Sequence, residues 1–534
     1  MFKMCVAHSL ASDPQLAAAS LVRKVRADLA GVEPAAALLF TTFGNDHATL
    51  LRELVALLPN CPIVGGSSHG EVSNELGYRV GSAVLVAFAS DHIKMQAGVL
   101  RGLTFDDEAT NHRTALTQWL PLPQTHAFAN RAPALGLLFP DGIGLDGGAV
   151  LRLFAAQYPK TQFFGGAAAE DFHLQPTAQF FNTEVLHNAV PYLLFYGPVR
   201  YHWSVTEGLS SGWQAVGARL DAQCQGKFIR TINGHRATDQ LAERYQLEGG
   251  LLSVVHPFVI YPDRNSDEHY LRDVVRYHAA SGAVESMQSL PDACQIQLTQ
   301  PNIEAILTAS RQGMHRALAL YPGNGAPAGV LCFSCASRAL VLQQNPAAEF
   351  ETATQGLQSR LPMAGFYAYG EIAPGISSGD ATFHSASLVT LVLGKEPKPT
   401  AGIFSAQAAF TQANLERDKQ MLSAELAEAQ AALAAVRYEL SQYQARERIA
   451  AHSKTEQHAV LKSLALRLVC EVLDTRLNDF KRLAIKGDPP RLNKTGLARM
   501  VNDLHYRHYG TDFPLTLNAL AALLTENGDG KLLI

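Results

Sequence analysis

The chain has 534 residues, of which 47% are hydrophobic and 17% are charged, and its formal net charge at pH 7 is −4. This length and apolar content predict three or four globular domains with buried cores and exclude a disordered chain. The nearly balanced charge gives no electrostatic reason to expect nucleic acid or an anionic membrane surface as a partner.

The N-terminal segment, residues 1–34, carries an amphipathic pattern after Asp13-Pro14 that predicts a helix and not a secretory signal. No apolar run approaches the roughly 18 residues that a membrane-spanning helix needs. The seven cysteines are an odd and scattered set, which argues against a disulfide framework. We therefore expect a cytoplasmic protein without membrane insertion.

One sequence motif occurs twice, as LRELVALLPNCPIVGG at 51–66 and LRLFAAQYPKTQFFGG at 151–166. Each copy follows a short apolar run, has helical spacing that ends at Pro59 or Pro159, and closes with a second apolar run. This order predicts strand–helix–strand, with the two strands parallel. Residues 35–225 are therefore predicted to be a mixed α/β module made of two related halves.

Each copy ends in a glycine pair, Gly65-Gly66 or Gly165-Gly166, where the backbone can approach a neighbour closely. The residues that follow differ, and those with ligand-binding chemistry are Ser67, Ser68, His69 and Glu71 in the first copy and Asp171 in the second. We expect the two turns to face each other across a cleft that binds one asymmetric small ligand. The alternative is a pair of tight turns that only pack the halves together.

Residues 226–400 alternate strands and helices and are predicted to form a second, α+β module. Five stretches of the chain, IVGGSSHGEVS (63–73), FFGGAAAEDF (163–172), YLRDV (270–274), CASR (335–338) and GFYAYGEI (365–372), resemble the FIST family of bacterial sensory proteins, with its N-terminal and C-terminal modules in order. The resemblance implies an intracellular sensor of small molecules such as amino acids. One branch of the family is similar to haem-binding nitric-oxide sensors that act on a partner histidine kinase.

Charged residues within the stretches that carry the resemblance could bind a zwitterion. Arg272 and Arg338 could each hold a carboxylate through paired hydrogen bonds, and Glu371, after Gly370, could accept from an ammonium group. The alternative for each of them is a structural Arg–Glu pair between strands.

Haem would need one axial imidazole and an apolar pocket. Among the 19 histidines, His69 is the first candidate because it follows a glycine turn, and His256 and His384 come next. A lone histidine is more often a hydrogen-bonded surface or core residue than a ligand. The cofactor prediction is therefore an alternative: haem b on His69.

Two further patterns resemble catalytic motifs, but the elements predicted around them do not match those that the motifs require. Ser68 lies in a Gly-x-Ser-x-Gly match to the serine-hydrolase elbow, but a turn and strand are expected after it where the elbow requires a helix. Cys332 and Cys335 form Cys-x-x-Cys inside an apolar strand, with no helix start expected after them to lower a thiol pKa. We expect no catalytic function.

The end of the chain changes character. Residues 405–452 are free of Gly and Pro, and Leu415, Leu422, Ala429, Val436 and Tyr443 recur every seven residues. This predicts a coiled coil and a homodimer through 415–443, and the alternative is a long helix folded back on its own domain. Residues 453–534 show helical patterns without a catalytic signature and are predicted to be a helical module that docks a signalling partner.

Overall fold

The computed structural model describes two compact units. In the first, Met1–Ala401, it describes residues 2–103, 132–245, 255–278, 280–323, 326–342, 345–357, 361–376 and 379–395. In the second, Gly402–Ile534, it describes residues 461, 464, 465, 468, 494–509 and 512–523. The predicted mixed α/β class is confirmed, and the predicted coiled coil at 405–452 lies outside these residues.

The first repeat, residues 2–90, is a mixed sheet with helices packed on it. Its elements are β1 (Phe2–Ser9), α1 (Pro14–Leu29), β2 (Ala36–Thr42), α2 (His47–Leu57), β3 (Ile63–Ser68), β4 (Glu71–Ser73), β5 (Gly77–Arg79) and β6 (Ala83–Ser90). Strands β2 and β3 are parallel, and β6 lies antiparallel between β1 and β2. The predicted helix in 1–34 is present, but a wholly helical segment is wrong because the apolar run at 2–9 pairs with β6 as an edge strand.

The second repeat, residues 94–196, follows the same order. Its described elements are β7 (Lys94–Leu100), β8 (Leu135–Leu138), α3 (Gly147–Gln157), β9 (Gln162–Gly166), β10 (Gln179–Phe181), β11 (Glu184–Leu186) and β12 (Val190–Tyr196). Strands β8 and β9 are parallel and are joined through α3, as the repeated motif predicts. Each helix starts at an aspartate, Asp46 or Asp146, whose carboxylate accepts a hydrogen bond from a first-turn N–H group.

An antiparallel sheet, which we call the insert (residues 213–301), follows β13 (Val199–Thr206). It contains β14 (Trp213–Gln225), β15 (Phe228–Ile232), β16 (His235–Arg236), α4 (Ala237–Tyr245), β17 (Phe258–Tyr261), β18 (Tyr270–Arg272), β19 (Val274–His278), β20 (Ala283–Ser286) and β21 (Ala293–Pro301). Ile229, Ile260, Val284 and Ile296 belong to its own apolar core. The insert therefore adds an independently packed layer to the chain.

The chain then completes a third repeat that the sequence analysis did not find. It contains α5 (Ile303–Ala319), β22 (Gly329–Cys335), α6 (Ala336–Val341), α7 (Ala347–Thr354), β23 (Met363–Ala368), β24 (Glu371–Pro374), β25 (Ala381–His384) and β26 (Leu388–Lys395). Strands β22 and β23 are parallel, and β26 pairs with both β22 and β13. The chain thus contains a third copy in addition to the two predicted halves. The insert separates the edge strand of this copy, β13, from its other elements.

Backbone register shows which residues of the three repeats are equivalent. Gly65 lies opposite Leu39, Gly165 opposite Leu138 and Gly365 opposite Cys332. One position beyond each of these partners stands a buried phenylalanine: Phe40, Phe139 and Phe333. Their ring centroids are 5.4, 6.2 and 6.4 Å apart, so an aromatic cluster forms where the three repeats meet.

Each repeat also sends its hairpin into the sheet of another repeat. Strand β4 pairs with β23, β10 pairs with β3, and β24 pairs with β9. Three six-stranded sheets result, each completed by a hairpin from elsewhere in the chain. This cyclic exchange joins the predicted N-terminal and C-terminal modules through main-chain hydrogen bonds.

The second unit is helical where it is described. Helices α8 (Lys494–Tyr509) and α9 (Leu517–Leu523) bury Val501 and Leu520 in a small core with Ala465 and Phe513. This agrees with the helical C-terminus that the sequence predicts. Across the described parts of both units, no helix has the length and apolarity to cross a membrane.

Candidate functional site

The three glycine strands end in a ring of backbone hydrogen bonds. Three N–H groups donate to carbonyl oxygens around this ring: His69 to Tyr367 (3.1 Å), Ala169 to Ser67 (2.8 Å) and Tyr369 to Ala167 (3.1 Å). The two predicted glycine turns therefore do face each other, but in direct contact. The expectation of an open cleft between them is corrected, because the turns are already bonded to one another and to a third turn.

The glycines allow this close packing. A Cβ atom on Gly65 would lie 1.9 Å from the carbonyl oxygen of Leu39, and one on Gly165 would lie 2.0 Å from that of Leu138. A Cβ on Gly66 or Gly166 would come within 3.0 or 2.8 Å of an alanine methyl group of the neighbouring turn. These contacts match the packing alternative for both pairs and leave no room for a ligand beside them.

A buried polar niche lies beside each turn, centred on the first residue of the exchanged hairpin. Glu71, Gln179 and Glu371 are equivalent, because they pair with Phe366, Gly66 and Gly166 at matching strand positions. All three are fully buried. Buried polar groups need hydrogen-bond partners, so the niches can be compared by how each is satisfied.

In the first niche both carboxylate oxygens of Glu71 accept hydrogen bonds. Thr42 donates to them at 2.9 and 3.1 Å, and the hydroxyls of Ser68 and Ser82 also donate. Burial raises the pKa of Glu71 to about 7, against the lowering effect of these hydroxyls. The side-chain oxygens of Glu71 and the hydroxyl of Ser68 are therefore already hydrogen-bonded within the fold.

Ser68 does not have the surroundings of a hydrolase nucleophile. It is fully buried, its hydroxyl donates to Glu71, and strand β4 follows β3 after a short turn. The elbow of a serine hydrolase requires an exposed serine that begins a helix. Ser67 is equally buried and donates to the carbonyl oxygen of Ala169 at 2.8 Å.

The second niche is satisfied as well. The Gln179 amide donates to Asp141 at 3.2 Å and to Thr177 at 2.8 Å, and its oxygen accepts from the N–H group of Ala189 at 3.3 Å. Asp141 stands at the strand position that Thr42 occupies in the first repeat. Here an amide and a carboxylate replace the carboxylate and hydroxyl of the first niche.

The third niche is incomplete. One oxygen of Glu371 accepts from the N–H group and hydroxyl of Ser387 at 3.2 and 2.7 Å, while Oε1 has no hydrogen-bond partner. Ser387 corresponds to Ser82, but the positions of Ser68 and Thr42 are filled here by Ala368 and Cys335, so two of the three hydroxyls that satisfy Glu71 have no counterpart. Burial, reinforced by Asp273, raises the pKa of Glu371 well above its ordinary value.

Asp273, from the insert, brings a second acid to this niche. It is 7% exposed, its Oδ2 atom lies 3.7 Å from the Cys335 sulfur, and its Oδ1 atom has no hydrogen-bond partner. Burial raises its pKa to about 7, against the lowering effects of Cys335 and Arg272. An unpaired buried carboxylate oxygen costs about 1–3 kcal/mol, which a bound donor would recover.

A narrow cleft lies beside the third niche, and we call it the insert cleft. Its polar lining residues are Asp273, Cys335, Ser337 and Tyr369. Its apolar lining residues are Phe172, Leu174, Val275 and Met287. The second repeat, the insert and the third repeat all contribute, so a molecule bound there would touch three parts of the chain.

The second repeat contributes a roof, the loop 170–177. Six positions separate Gly65 from Glu71, whereas fourteen separate Gly165 from Gln179, so this loop is an extension peculiar to the second repeat. Phe172 and Leu174 have φ of +58° and +54°, a left-handed conformation that is strained for large side chains. Ligand-responsive segments often store such strain, which a bound molecule can release or stabilise.

Glu170 and Tyr369 hold the roof in place. The Glu170 carboxylate accepts from the N–H groups of His173 and Leu174 at 2.9 and 3.0 Å. The Tyr369 hydroxyl donates to Glu170 and accepts from the N–H group of Phe172 at 2.7 Å. Tyr369 stands where His69 stands in the first repeat, so one of the three turns is joined to the roof.

His69 lies beside this roof, and Asp171 is part of it. The His69 side chain is 16% exposed, its Nδ1 atom lies 3.3 Å from the Glu170 carbonyl oxygen and 3.5 Å from the Asp171 carboxylate, and its ring contacts Phe172 edge-on. Burial lowers the pKa of His69, against the raising effect of Asp171. A neutral imidazole could bind iron, but its described neighbours are two acidic residues and one phenylalanine, which do not form the apolar wall that haem needs. The haem b prediction therefore finds no fit at this ring.

Arg338 is a structural residue by its contacts. It is fully buried, and its Nε atom donates to Glu349 at 2.7 Å. Its four remaining N–H groups are matched by four other acceptors: the carbonyl oxygens of Ser211, Ala386 and Ile306 and the hydroxyl of Ser310. No donor is left for a ligand carboxylate, so the structural Arg–Glu alternative describes this arginine.

Arg272 and Gly370 adjoin the third niche. Arg272 donates to the carbonyl oxygens of Leu271 and Phe383 and lies over the Tyr270 ring, while its Nε atom is buried without a partner. Gly370 has φ of +114°, and a Cβ atom there would lie 2.1 Å from the Phe383 ring. Arg272 and Glu371 are thus placed at one niche, whereas Gly370 is required by packing.

The sequence analysis missed Asp273 and undervalued Cys335. Asp273 follows Arg272 directly, and an acid between two apolar strands was the available signal. Cys335 caps helix α6, which starts at Ala336, so the expectation that no helix start follows it is wrong. Its thiol nevertheless has a strongly raised pKa, because of burial and the nearby Glu371 and Asp273 carboxyls.

Comparison with known families agrees with this architecture. The FIST N domain matches residues 35–235 and the FIST C domain matches residues 237–374, which together make up more than half of the chain. The chain therefore belongs to the FIST family, whose domains are small-ligand sensory domains in signal transduction. The matches do not show the haem-binding branch. No curated protein matches the chain.

Proposed function

We propose that this chain is a cytoplasmic, non-catalytic sensor whose small ligand binds in the insert cleft. The observation that carries the proposal is Asp273, a buried carboxylate that lines the cleft and keeps one oxygen unpaired. Small-molecule sites are typically concave and mostly apolar, with few polar groups that fix the ligand. The insert cleft has this composition.

Ligand would act by a shift between two arrangements of the roof. The cleft encloses only about 10 Å³, so a ligand larger than water needs the roof displaced, and a ligand that contacts Phe172, Leu174 and Asp273 in that second arrangement shifts the population toward it. The strained backbone at the two roof residues gives the loop a reason to adopt this second arrangement. The change would pass through the third repeat, which ends at β26, toward the rest of the chain.

The test is ligand-dependent thermal stabilisation of the full chain. A panel of amino acids and related metabolites should contain compounds that raise Tm through preferential binding to the folded state. Val275→Phe fills the cleft and should abolish this shift, whereas Val80→Phe, at a side chain that is 53% exposed, should preserve it. Shifts that survive Val275→Phe would place the ligand elsewhere and refute the proposal.

We propose further that the sensor is a homodimer through residues 415–443, which transmits the change to 453–534 and a partner such as a histidine kinase. The heptad pattern supports this, because a parallel coiled coil couples two sensor copies. Light scattering should give twice the chain mass for the full chain and a monomer for a chain ending at residue 400. Monomers in both cases would contradict it.

The haem alternative is not included in the proposal. A described cavity that pairs a histidine with an extended apolar wall would be needed, and the neighbours of His69 do not provide it.

A further inference from the structure

We infer that the insert cleft selects small apolar amines, held through their ammonium group by Asp273, over neutral or anionic compounds of the same shape. This inference rests on the proposed function, because it names the class of ligand for the same cleft. It depends on three features of the third niche: its missing donors, its charges and the apolar lining beside it.

The three equivalent niches provide an internal comparison. Glu71 and Gln179 have all their side-chain oxygens paired by groups of the protein, whereas Glu371 Oε1 and Asp273 Oδ1 are buried and unpaired. The repeated backbone therefore satisfies its polar residue twice and leaves Glu371 Oε1 unsatisfied once, and Asp273 of the insert adds a second unpaired oxygen beside it. Native proteins pair nearly all buried polar atoms, so two unpaired acceptors together indicate a site for an external donor.

The charges around Asp273 favour a cation. The titratable groups that influence it are Arg272, Cys335 and Glu371, and His384 is buried in the adjoining strand. Burial raises the Glu371 and Cys335 pKa values and lowers that of His384 to about 4, which favours the uncharged form of each group. Arg272 lowers the Asp273 pKa, but burial outweighs it and holds that pKa at about 7, so a bound cation would stabilise the charged carboxylate further.

An ammonium group supplies both missing elements. It carries positive charge and three N–H donors, whereas an alcohol donates once without charge and a carboxylate would face another carboxylate. The remaining lining is apolar at Phe172, Val275 and Met287, which suits an alkyl or aromatic body. A phosphate or other strong anion is disfavoured for the same electrostatic reason.

The experiment compares n-butylamine, butan-1-ol and butanoate, which share one carbon chain, by ligand-observed NMR titration of the full chain. We expect butylamine to bind at least about tenfold more tightly than either analogue, the size of effect that a charge-assisted hydrogen bond gives. Asp273→Asn keeps the shape and should remove this preference. Asp267→Asn, at an acid with a 95% exposed side chain, should leave it unchanged.

The outcomes separate this inference from the proposed function. Equal or tighter binding of butanoate would overturn it and point to Arg272 as the ligand contact, and equal binding of butanol would overturn the role of charge. If Asp273→Asn is poorly folded, the preference of the unmodified protein among the three compounds still decides. A panel ligand that is lost in Val275→Phe while butylamine does not bind would keep the proposed site and refute only the amine class.

Discussion

Substitution of Arg338 by methionine should lower the stability of the fold. It should not remove ligand binding from a protein that is otherwise as stable as the wild type. The guanidinium group is fully buried, and its Nε atom donates to Glu349, whose side chain is 3% exposed. Burial opposes the Glu349 charge, but Arg338 and the surrounding hydroxyls outweigh it and lower the pKa of this carboxyl. Removing the arginine leaves a buried carboxylate without its counter-charge, which costs about 3–5 kcal/mol.

Guanidinium unfolding of the full chain, followed by circular dichroism, measures this cost through the midpoint of the first unit's transition. Arg338→Met combined with Glu349→Leu should recover part of the loss, because the unpaired charge is then absent. Arg101→Met breaks an exposed pair with Glu184 and should cost at most about 1 kcal/mol. An Arg338→Met protein that keeps its stability but loses its ligand response would refute the structural role and restore the carboxylate-binding one.

Three further outcomes are expected. The pKa of Glu71 is raised to about 7 in the fold, so the wild type should lose stability as pH rises from 4.5 toward 7, and Glu71→Gln should lose less when denaturant midpoints are compared across that range, because only Asp273 and Glu371 still contribute. Gly165→Ala should cost about 3 kcal/mol or more because its methyl group would overlap the Leu138 carbonyl oxygen, whereas Gly31→Ala, with positive φ and open space, should cost only about 1–2 kcal/mol. Added hemin should give the same visible spectrum with wild type and His69→Ala, and a Soret band that depends on His69 would revive the haem alternative.

Local patterns in the sequence were sufficient to predict the strand–helix–strand units. Proline ended both helices, apolar runs marked the strands, and glycine pairs marked the middle of β3 and the end of β9. These signals act within about thirty residues, which is the range over which periodicity is informative. The mixed α/β class and the helical C-terminus followed from the same kind of evidence.

The third repeat and the hairpin exchange could not be predicted in this way. Gly365 is followed by Phe366 and not by a second glycine, and the insert separates β13 from its partner β26. The strand pairings that join β4 to β23 span nearly three hundred residues, and no local pattern encodes such a register. The equivalence of the three turns is therefore visible only in the pairing of the strands.

The candidate site shows the same division. His69, Asp171, Arg272 and Glu371 were singled out by residue type, and the fold places the first pair at the roof and the second pair at the third niche. Asp273 could not be predicted, because it stands out only through the unpaired oxygens at the third niche, its own Oδ1 and Oε1 of Glu371. That property depends on Ala368 and Cys335 replacing hydroxyl residues, which requires knowing that the repeats are equivalent.

The most direct test of the account is hydrogen exchange of the full chain, with and without the compound that gives the largest thermal shift. Binding in the insert cleft should slow exchange in the roof, residues 170–177, and in the insert segment 273–288. Helix α1, Pro14–Leu29, contributes no residue to the cleft lining, should be unchanged and serves as an internal control. Protection confined to that helix, or to segments outside all three elements of the cleft, would contradict the proposed site.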